Sequence, residues 1–272
     1  MERESAGVLE GTGENGHRPE LEIRLPEGAD VAQDQEWCEV VRDGEVERIR
    51  FHDYHRIYSI PGLYELLFAE MLECASPRIV ISLLREQLER EDVSTRDLGA
   101  LDLGAGNGMV GEELARIGVD SIVGVDVIEE AREAAGRDRP DLYDDYHVVD
   151  MASMPSTTES ELRSRRFSCL TTVAALGFGD IPPTAFVAAY NLVSNEGWVA
   201  FNIKKDFLDG ADGSGFSRLL RRMFEDETME ELSRREYPHR LAVNGDALPY
   251  VAIVARKRRD VELAEEDRTG GD

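Results

Sequence analysis

Short apolar runs alternate with amphipathic stretches through the middle of this chain. Between residues 97 and 203, runs rich in Val, Ile, Leu and Phe are separated by segments whose apolar positions recur every three or four residues. The runs are typical of buried strands and the segments of helices. We predict strands and helices in alternation: strands at Ala100–Leu103, Ser121–Asp126, Tyr146–Val149, Phe167–Val173 and Trp198–Ile203, and helices at Asn107–Ile117, Ile128–Gly136 and Pro183–Val193.

The alternation of strands and helices predicts the class of fold. Strands joined through helices form a parallel sheet with helices on both faces. The end of the chain differs, because two apolar runs, Leu241–Val243 and Tyr250–Val254, flank the turn signal Asn244-Gly245-Asp246. This pattern predicts an antiparallel hairpin. We therefore expect an α/β fold with a mixed sheet of seven strands that ends in an antiparallel hairpin.

The N-terminal part follows another pattern. Two β-rich runs within Glu36–Phe51 flank Arg42-Asp43-Gly44, which predicts a hairpin. Helical spacing follows over Pro61–Glu73, and Ser76-Pro77 has the residue types of a helix start. In residues 1–34 the apolar positions do not recur with a sustained helical or strand period. We expect four segments: a disordered acidic tail (1–34), a hairpin and helical cap (35–96), the α/β domain (97–259) and a second acidic tail (260–272).

Composition narrows the class of protein. The chain has 272 residues, a net charge of −25 and 42% hydrophobic residues, which is enough for a core. Eleven of the excess negative charges lie in the two predicted tails. The rest of the chain is still negative, which disfavours nucleic acid as a partner because phosphates are repelled. No apolar run approaches the roughly 20 residues that cross a bilayer, and the N-terminus does not resemble a secretory signal. Three cysteines far apart in sequence favour a reducing, cytoplasmic location.

The segment Ala100–Leu114, with the sequence ALDLGAGNGMVGEEL, carries the clearest chemical signal. A strand enters a turn that contains Gly104, Gly106 and Gly108, and a helix leaves it. Glycines let the backbone turn tightly and let a ligand approach the main chain. The following helix N-terminus presents free N–H groups, so this loop is suited to an anionic group such as a phosphate or a carboxylate.

The same glycines permit a second interpretation. Gly106, Gly108 and Gly111 also satisfy G-x-G-x-x-G, and Asp126 lies 20 residues beyond Gly106, as in the dinucleotide fingerprint. An NAD(P)-binding oxidoreductase is therefore an alternative. Asp102 argues against it, because a carboxylate at the strand end repels a pyrophosphate but attracts an ammonium group. The tyrosines of residues 54–64 also lack the lysine four positions on that many short-chain dehydrogenases use.

The glycine block resembles the first motif of the class I S-adenosylmethionine-dependent methyltransferases, and the resemblance spans roughly Ile79 to Arg256. It implies a Rossmann-like fold and S-adenosylmethionine as the methyl donor. In that family the glycine loop holds the methionine part, and the acid that ends the second strand binds both ribose hydroxyls. The resemblance assigns cofactor binding to nine residues here: Asp102, Gly104, Ala105, Gly106, Gly108, Asp126, Val127, Asp150 and Met151, with Asp150 and Met151 next to the adenine. Tyr58, in a segment rich in His, Asp and Tyr, is also expected near the cofactor.

The acceptor and the catalytic groups have weaker signals. No Asn-Pro-Pro-Tyr motif occurs, and the fourth strand has Phe167-Ser168 where many family members have Phe-Asp. We expect a small-molecule acceptor, with no nucleic acid, membrane or metal involved, and the sequence leaves the oligomeric state open. His52 and Tyr54 are the candidates for a catalytic base or orienting group, in a segment rich in His, Asp and Tyr.

Two further expectations concern the surroundings of this site, and one alternative function stays open. Phe178 is expected at the pocket mouth, and the Gly-rich run Gly210–Gly215 is expected to act as a lid. A protein that keeps the fold and binds the cofactor without catalysis is a second alternative.

Overall fold

The computed structural model describes residues 6–9, 21–26, 31–42, 44–176, 180–208 and 215–263. The chain forms two compact units. The first contains Met1–Ala75 and Pro238–Leu248, and the second contains Ser76–Tyr237 and Pro249–Asp272. Within the described residues, no helix is long and apolar enough to cross a membrane.

The first unit is built on an antiparallel sheet of four strands in the order β1-β2-β3-β4. Its core contains apolar side chains from the strands and from the residues after them, among them Ile23, Val40 and Phe51. The elements of this unit are β1 (Ala6–Leu9), β2 (Leu21–Arg24), β3 (Trp37–Arg42), β4 (Glu45–Arg50), α1 (Tyr54–Ser59) and a π-helix at Glu65–Met71.

The predicted hairpin of the first unit is present, since β3 and β4 pair from Trp37↔Arg50 to Arg42↔Glu45. The expected disorder of residues 1–34 does not hold for β2. This strand pairs with β3, and Leu21 and Ile23 are buried. Four residues of alternation are too short to stand out in sequence, whereas in the sheet a neighbouring strand supplies the hydrogen-bond partners. Residues 1–5, 10–20 and 27–30 lie outside the described part of this segment.

The predicted helix over Pro61–Glu73 forms as a π-helix rather than an α-helix. The N–H of Leu72 bonds the carbonyl of Leu67 at 3.0 Å, five residues back. Leu63, Leu67 and Leu72 are all essentially fully buried. The wider turn thus keeps apolar positions four and five residues apart on the same buried side.

The second unit has a mixed sheet of seven strands in the order β10-β11-β9-β8-β5-β6-β7. Pairs among β5 to β9 are parallel, and β11 runs antiparallel to β9. This confirms the predicted α/β fold. The strands are β5 (Gly99–Leu103), β6 (Ser121–Asp126), β7 (Asp145–Val148), β8 (Cys169–Thr172), β9 (Trp198–Lys204), β10 (Met229–Leu241) and β11 (Ala247–Lys257).

Helices connect and cover these strands. The main core of the unit lies between strand residues such as Leu101, Leu170 and Phe201 and helix residues such as Phe186 and Leu219. The helices are α2 (Ser76–Arg90), α3 (Met109–Arg116), α4 (Glu129–Asp138), α5 (Ser156–Ser164), α6 (Pro183–Tyr190), α7 (Lys205–Leu208) and α8 (Gly215–Glu225).

The C-terminal hairpin is much longer than predicted. The predicted run Leu241–Val243 overlaps β10 only at its last residue, Leu241. The rest of the strand has the sequence MEELSRREYPHR, which is mostly charged or polar and has no sustained apolar alternation. β10 lies at one end of the strand order, and several of its side chains are exposed. An edge strand of this kind does not need an apolar run.

Candidate cofactor site

The glycine loop occupies the end of β5. Gly104, Gly106 and Gly108 have φ values of 71°, 55° and 92°, in the left-handed region that favours glycine. The N–H groups of Gly104 and Ala105 both donate to the carbonyl of Val125, at 2.8 and 3.1 Å. The loop is therefore bound to the end of β6, and Gly108 leads into α3. Since β5, β6 and β8 are parallel, their carboxyl ends meet at this edge of the sheet.

Two of these glycines also fill places too small for a side chain. A Cβ on Gly104 would lie 3.0 Å from the Cβ of Ala175 and 3.1 Å from Ile181. A Cβ on Gly108 would lie 3.1 Å from both Arg139 and Leu142. The sequence explains the turn, whereas only the structure shows the close packing beneath it.

Asp126 lies at the end of β6 and is tied to the glycine loop. Burial raises the pKa of its carboxyl, and three hydrogen bonds from backbone N–H groups act in the opposite direction by stabilising the charged form. The donors are Gly106 at 2.9 Å, on one carboxylate oxygen, and Val127 at 2.8 Å and Ile128 at 3.1 Å, on the other.

Asp102, on β5, is almost fully buried. One carboxylate oxygen accepts a hydrogen bond from the Tyr143 hydroxyl at 2.9 Å, and the other accepts one from Thr171 at 2.8 Å. Burial raises the pKa of Asp102 to about 6 despite these bonds. The contact with an ammonium group that the resemblance implies stays a prediction, because both oxygens already have a donor within the protein.

Two tyrosines form part of this region and have no role in the sequence analysis. Tyr143 donates to Asp102, and the Tyr146 hydroxyl donates to the carbonyl of Gly106 at 2.8 Å. Their rings meet edge to face with centroids 5.3 Å apart. Gly124, inside β6, is the one sequence signal that indicates such a neighbour, because a Cβ there would lie 2.8 Å from the ring of Tyr146.

The predicted adenine-side residues lie just after β7. The N–H of Val149 donates to the carbonyl of Asp126 at 2.8 Å, which places the end of β7 beside Asp126. Asp150 caps a short 3₁₀ turn by accepting from the N–H of Ala152 and the hydroxyl of Ser153. Met151 is buried in the core of the unit.

Val127 differs from Met151 in its exposure. It directly follows Asp126, and 62% of its surface is exposed, which is unusual for a large apolar side chain. Val127 therefore offers an apolar surface beside the partly buried carboxylate of Asp126.

The candidate catalytic residues belong to the first unit, whereas the glycine loop belongs to the second. The rings of His52 and Tyr54 meet edge to face at 5.8 Å. Tyr54 stacks with Tyr58 at 6.1 Å, and Tyr58 stacks with Tyr64 at 5.0 Å. The structure therefore brings the predicted residues of this segment together as an aromatic row.

Phe178 and residues 210–214 lie outside the described residues, so the predicted pocket mouth and lid are not described. Gly215 begins α8. A groove of about 730 Å³ lies in the second unit along residues of α8, β10 and the chain after β11. Two of its arginines are paired with acids, Arg258 with Glu230 and Arg234 with Glu231. Its lining contains no predicted site residue.

Comparison with known proteins identifies the class. Residues 101–201, from β5 to β9, match the family model described as a methyltransferase domain. The protein is an S-adenosylmethionine-dependent methyltransferase, and this confirms the donor and the enzyme class that the glycine block implies. The match supports the resemblance of the glycine block to the class I S-adenosylmethionine-dependent superfamily. No curated protein matches the chain.

Several solved structures are similar to this chain at low identity. They include the N-methyltransferase NodS of Bradyrhizobium japonicum with S-adenosylhomocysteine (TM-score 0.49, 13% identity, covering 76% of this chain and 97% of that one). Another is the magnesium protoporphyrin IX methyltransferase of Synechocystis with S-adenosylhomocysteine (0.45, 12%, 65% and 81%). A third is the ribosomal protein L11 methylase of Lactobacillus delbrueckii (0.42, 12%, 66% and 77%). Similarity at this level does not bear on the acceptor.

Proposed function

We propose that this enzyme transfers the methyl group to a small-molecule acceptor, with the cofactor held at the carboxyl ends of β5, β6 and β7. The observation that carries the proposal is the carboxylate of Asp126, which lies at the end of β6 and is bonded to the glycine loop through Gly106. In this proposal the loop from Gly104 to Gly108 lies along the methionine part, and Asp126 binds the ribose hydroxyls.

The acceptor capacity of Asp126 supports the ribose role. A carboxylate offers about four hydrogen-bond acceptor positions, and three are in use by backbone N–H groups. One hydroxyl of a vicinal diol can therefore bond directly. The free position is on the oxygen that accepts only from Gly106, so a second hydroxyl must displace one of the three N–H donors. The exposed side chain of Val127 is consistent with an adenine ring that packs against it. Asp150 and Met151 follow the neighbouring strand β7 at the same edge of the sheet.

The chemistry asks little of the protein beyond positioning. S-adenosylmethionine supplies both the methyl group and its leaving group in an in-line displacement. The chain therefore has to hold the acceptor in line and exclude water. A base is needed only where the acceptor must lose a proton. We propose His52 or Tyr54 for that role, with Tyr58 near the cofactor.

The charge of the whole chain supports a small acceptor over a nucleic acid. The net charge is −25, with only 31 basic residues against 56 acidic ones. A nucleic-acid substrate requires a basic surface that neutralises phosphates. We also propose a cytoplasmic location, supported by three free cysteines, of which Cys38 and Cys169 are buried.

A calorimetric titration with S-adenosylhomocysteine tests the cofactor site. We expect micromolar binding by the wild type and at least tenfold weaker binding by Asp126→Ala, because the ribose loses its charged acceptor. The matched control is Asp120→Ala, which removes an exposed carboxylate just before the amino end of the same strand and should bind like the wild type. Binding of NAD without binding of S-adenosylhomocysteine would contradict the proposal.

Turnover tests the acceptor and the base. We expect methyl transfer to a member of a metabolite panel and no transfer to RNA. With that acceptor, His52→Ala or Tyr54→Phe should lower kcat by about 100-fold or more, since a general base contributes at least this much. The affinity for S-adenosylhomocysteine should stay within twofold. Loss of cofactor affinity together with kcat would instead indicate a structural role for the aromatic row.

A further inference from the structure

Asn202 is a polar residue in the most apolar part of the sheet. It lies on β9 among Trp198, Val199, Ala200, Phe201 and Ile203, all of them buried, and is itself fully buried. Burying an amide without hydrogen bonds is unfavourable, because the group loses its hydrogen bonds to water. An asparagine at this position is therefore tolerable only where its hydrogen bonds are made.

The hydrogen bonds of Asn202 connect strand β9 to three other elements of the second unit. Its amide nitrogen donates to the hydroxyls of Ser76, at 3.0 Å, and Tyr237, at 2.8 Å, and these two hydroxyls lie 2.6 Å apart. Its carbonyl oxygen accepts a hydrogen bond from the N–H of Ala174 at 2.6 Å. Three elements therefore meet at this one side chain: the start of α2, strand β10 and the loop after β8.

The backbone at Ala174 has an unfavourable conformation. Its φ is 57°, in the left-handed region where the Cβ of a residue with a side chain crowds the following carbonyl oxygen. Such a conformation persists only where surrounding contacts enforce it, and it often occurs at functional sites. The hydrogen bond that Ala174 donates to Asn202 is a contact of this kind, because it fixes the direction of the Ala174 N–H.

The residue after Ala174 packs directly on the glycine loop. A Cβ on Gly104 would lie 3.0 Å from the Cβ of Ala175 and 3.1 Å from Ile181. Leu176 also pairs with Ile181 in an isolated parallel bridge. A shift of Ala174 would therefore move the surface against which Gly104 is packed.

We propose that Asn202 is a positioning residue that fixes the loop after β8 through Ala174, and thereby holds the glycine loop in its cofactor-binding conformation. The inference rests on the cofactor site proposed above. Asn202 does not contact the cofactor in this proposal. It acts through the backbone of Ala174 and the packing of Ala175 on Gly104.

Three variants test this inference by titration with S-adenosylhomocysteine at a temperature where circular dichroism shows each variant to be folded. Asn202→Leu removes the bond to Ala174 and should bind at least tenfold more weakly. Asn202→Asp keeps an acceptor oxygen for Ala174 and should stay within threefold of the wild type. Tyr237→Phe removes the hydroxyl at the other side of Asn202, and should lower the melting temperature while its affinity stays within threefold.

The outcomes separate positioning from general stability. Wild-type affinity in folded Asn202→Leu overturns the inference, as does an equal loss in Asn202→Asp or in Tyr237→Phe. Hydrogen exchange on the wild type decides the case where Asn202→Leu does not fold. The amide of Ala174 should be protected without cofactor, and exchange at the rate of an unstructured peptide overturns the inference. A wild type that does not bind S-adenosylhomocysteine contradicts the cofactor site itself.

Discussion

Three aspartates close to the ends of neighbouring parallel strands have different surroundings. Asp102 is enclosed and bonds only to side chains, Asp126 is partly buried and bonds to backbone N–H groups, and Asp150 is exposed and caps a turn. The motif identifies all three as acids near a ligand. The surroundings of each side chain determine how it is held, and Asp126 is the one that a backbone N–H group fixes to the glycine loop while part of its surface stays accessible.

The raised pKa of Asp102 predicts a specific pH dependence of stability. Its folded-state pKa of about 6 lies above the ordinary value of 3.8, so the folded protein keeps a proton that the unfolded chain releases. This contribution is fully present below pH 4 and is lost as the pH rises through 6. Between pH 4.5 and 7.5 the free energy of unfolding of the wild type should fall by about 2 kcal/mol more than that of Asp102→Asn.

Urea denaturation at the two pH values measures this difference. Asp120→Asn is the control, since an exposed carboxylate with the same chemistry should leave the wild-type pH profile unchanged. Parallel profiles for the wild type and Asp102→Asn would show that the carboxyl of Asp102 is ionised in the folded protein at low pH.

At the level of elements, helices α3 and α4 each contain a glycine that lowers helix propensity, but for different reasons. A Cβ on Gly111, in α3, would lie 2.7 Å from the hydroxyl of Tyr143. That hydroxyl is held by Asp102, so it cannot move away without losing its bond. A Cβ on Gly136, in α4, would have nothing within 4 Å. The first glycine is required by packing, whereas the second is not.

Alanine at the two positions should therefore have opposite effects. Gly136→Ala should raise the free energy of unfolding by about 0.5–1 kcal/mol, because alanine is the better helix former. Gly111→Ala should lower it by about 1–3 kcal/mol, because overpacking displaces Tyr143. Urea denaturation of both variants checks the signs. A stabilised Gly111→Ala would show that the ring of Tyr143 moves freely.

Over the whole molecule, the excess of negative charge is the dominant electrostatic feature. The described part of the chain contains many exposed ion pairs, such as Arg163–Glu159 and Arg56–Glu47, and exposed pairs contribute little to stability. The net charge of −25 produces self-repulsion in the compact state. Salt screens both effects, and with a net charge of −25 we expect the repulsion to be the larger of the two.

Thermal stability should therefore increase with ionic strength. We expect the melting temperature to rise by a few degrees between about 20 mM and 500 mM sodium chloride, where the Debye length falls from roughly 20 Å to below 5 Å. A parallel series with choline chloride separates ionic strength from specific sodium binding. A melting temperature that falls with salt in both series would show that the exposed ion pairs outweigh the repulsion.

The sequence by itself determined the features that depend on neighbouring residues. β5, the glycine loop and α3 are contiguous, and β6 ends at Asp126 as predicted, because apolar runs and turn residues act locally. Most of strand β10 was not predicted, because it is charged, and the helix predicted over Pro61–Glu73 was not expected to be a π-helix, because apolar spacing does not separate the two helix types.

Only the tertiary structure decided which distant side chains meet. The hydroxyl of Tyr143 reaches Asp102 across 41 residues of chain, and Thr171 reaches it across 69. Asn202 reaches Ala174 across 28 residues. Such contacts depend on strand order and register, which bring together residues that no local pattern connects. The glycine loop is therefore recognisable in sequence, whereas the side chains that hold it in place are not.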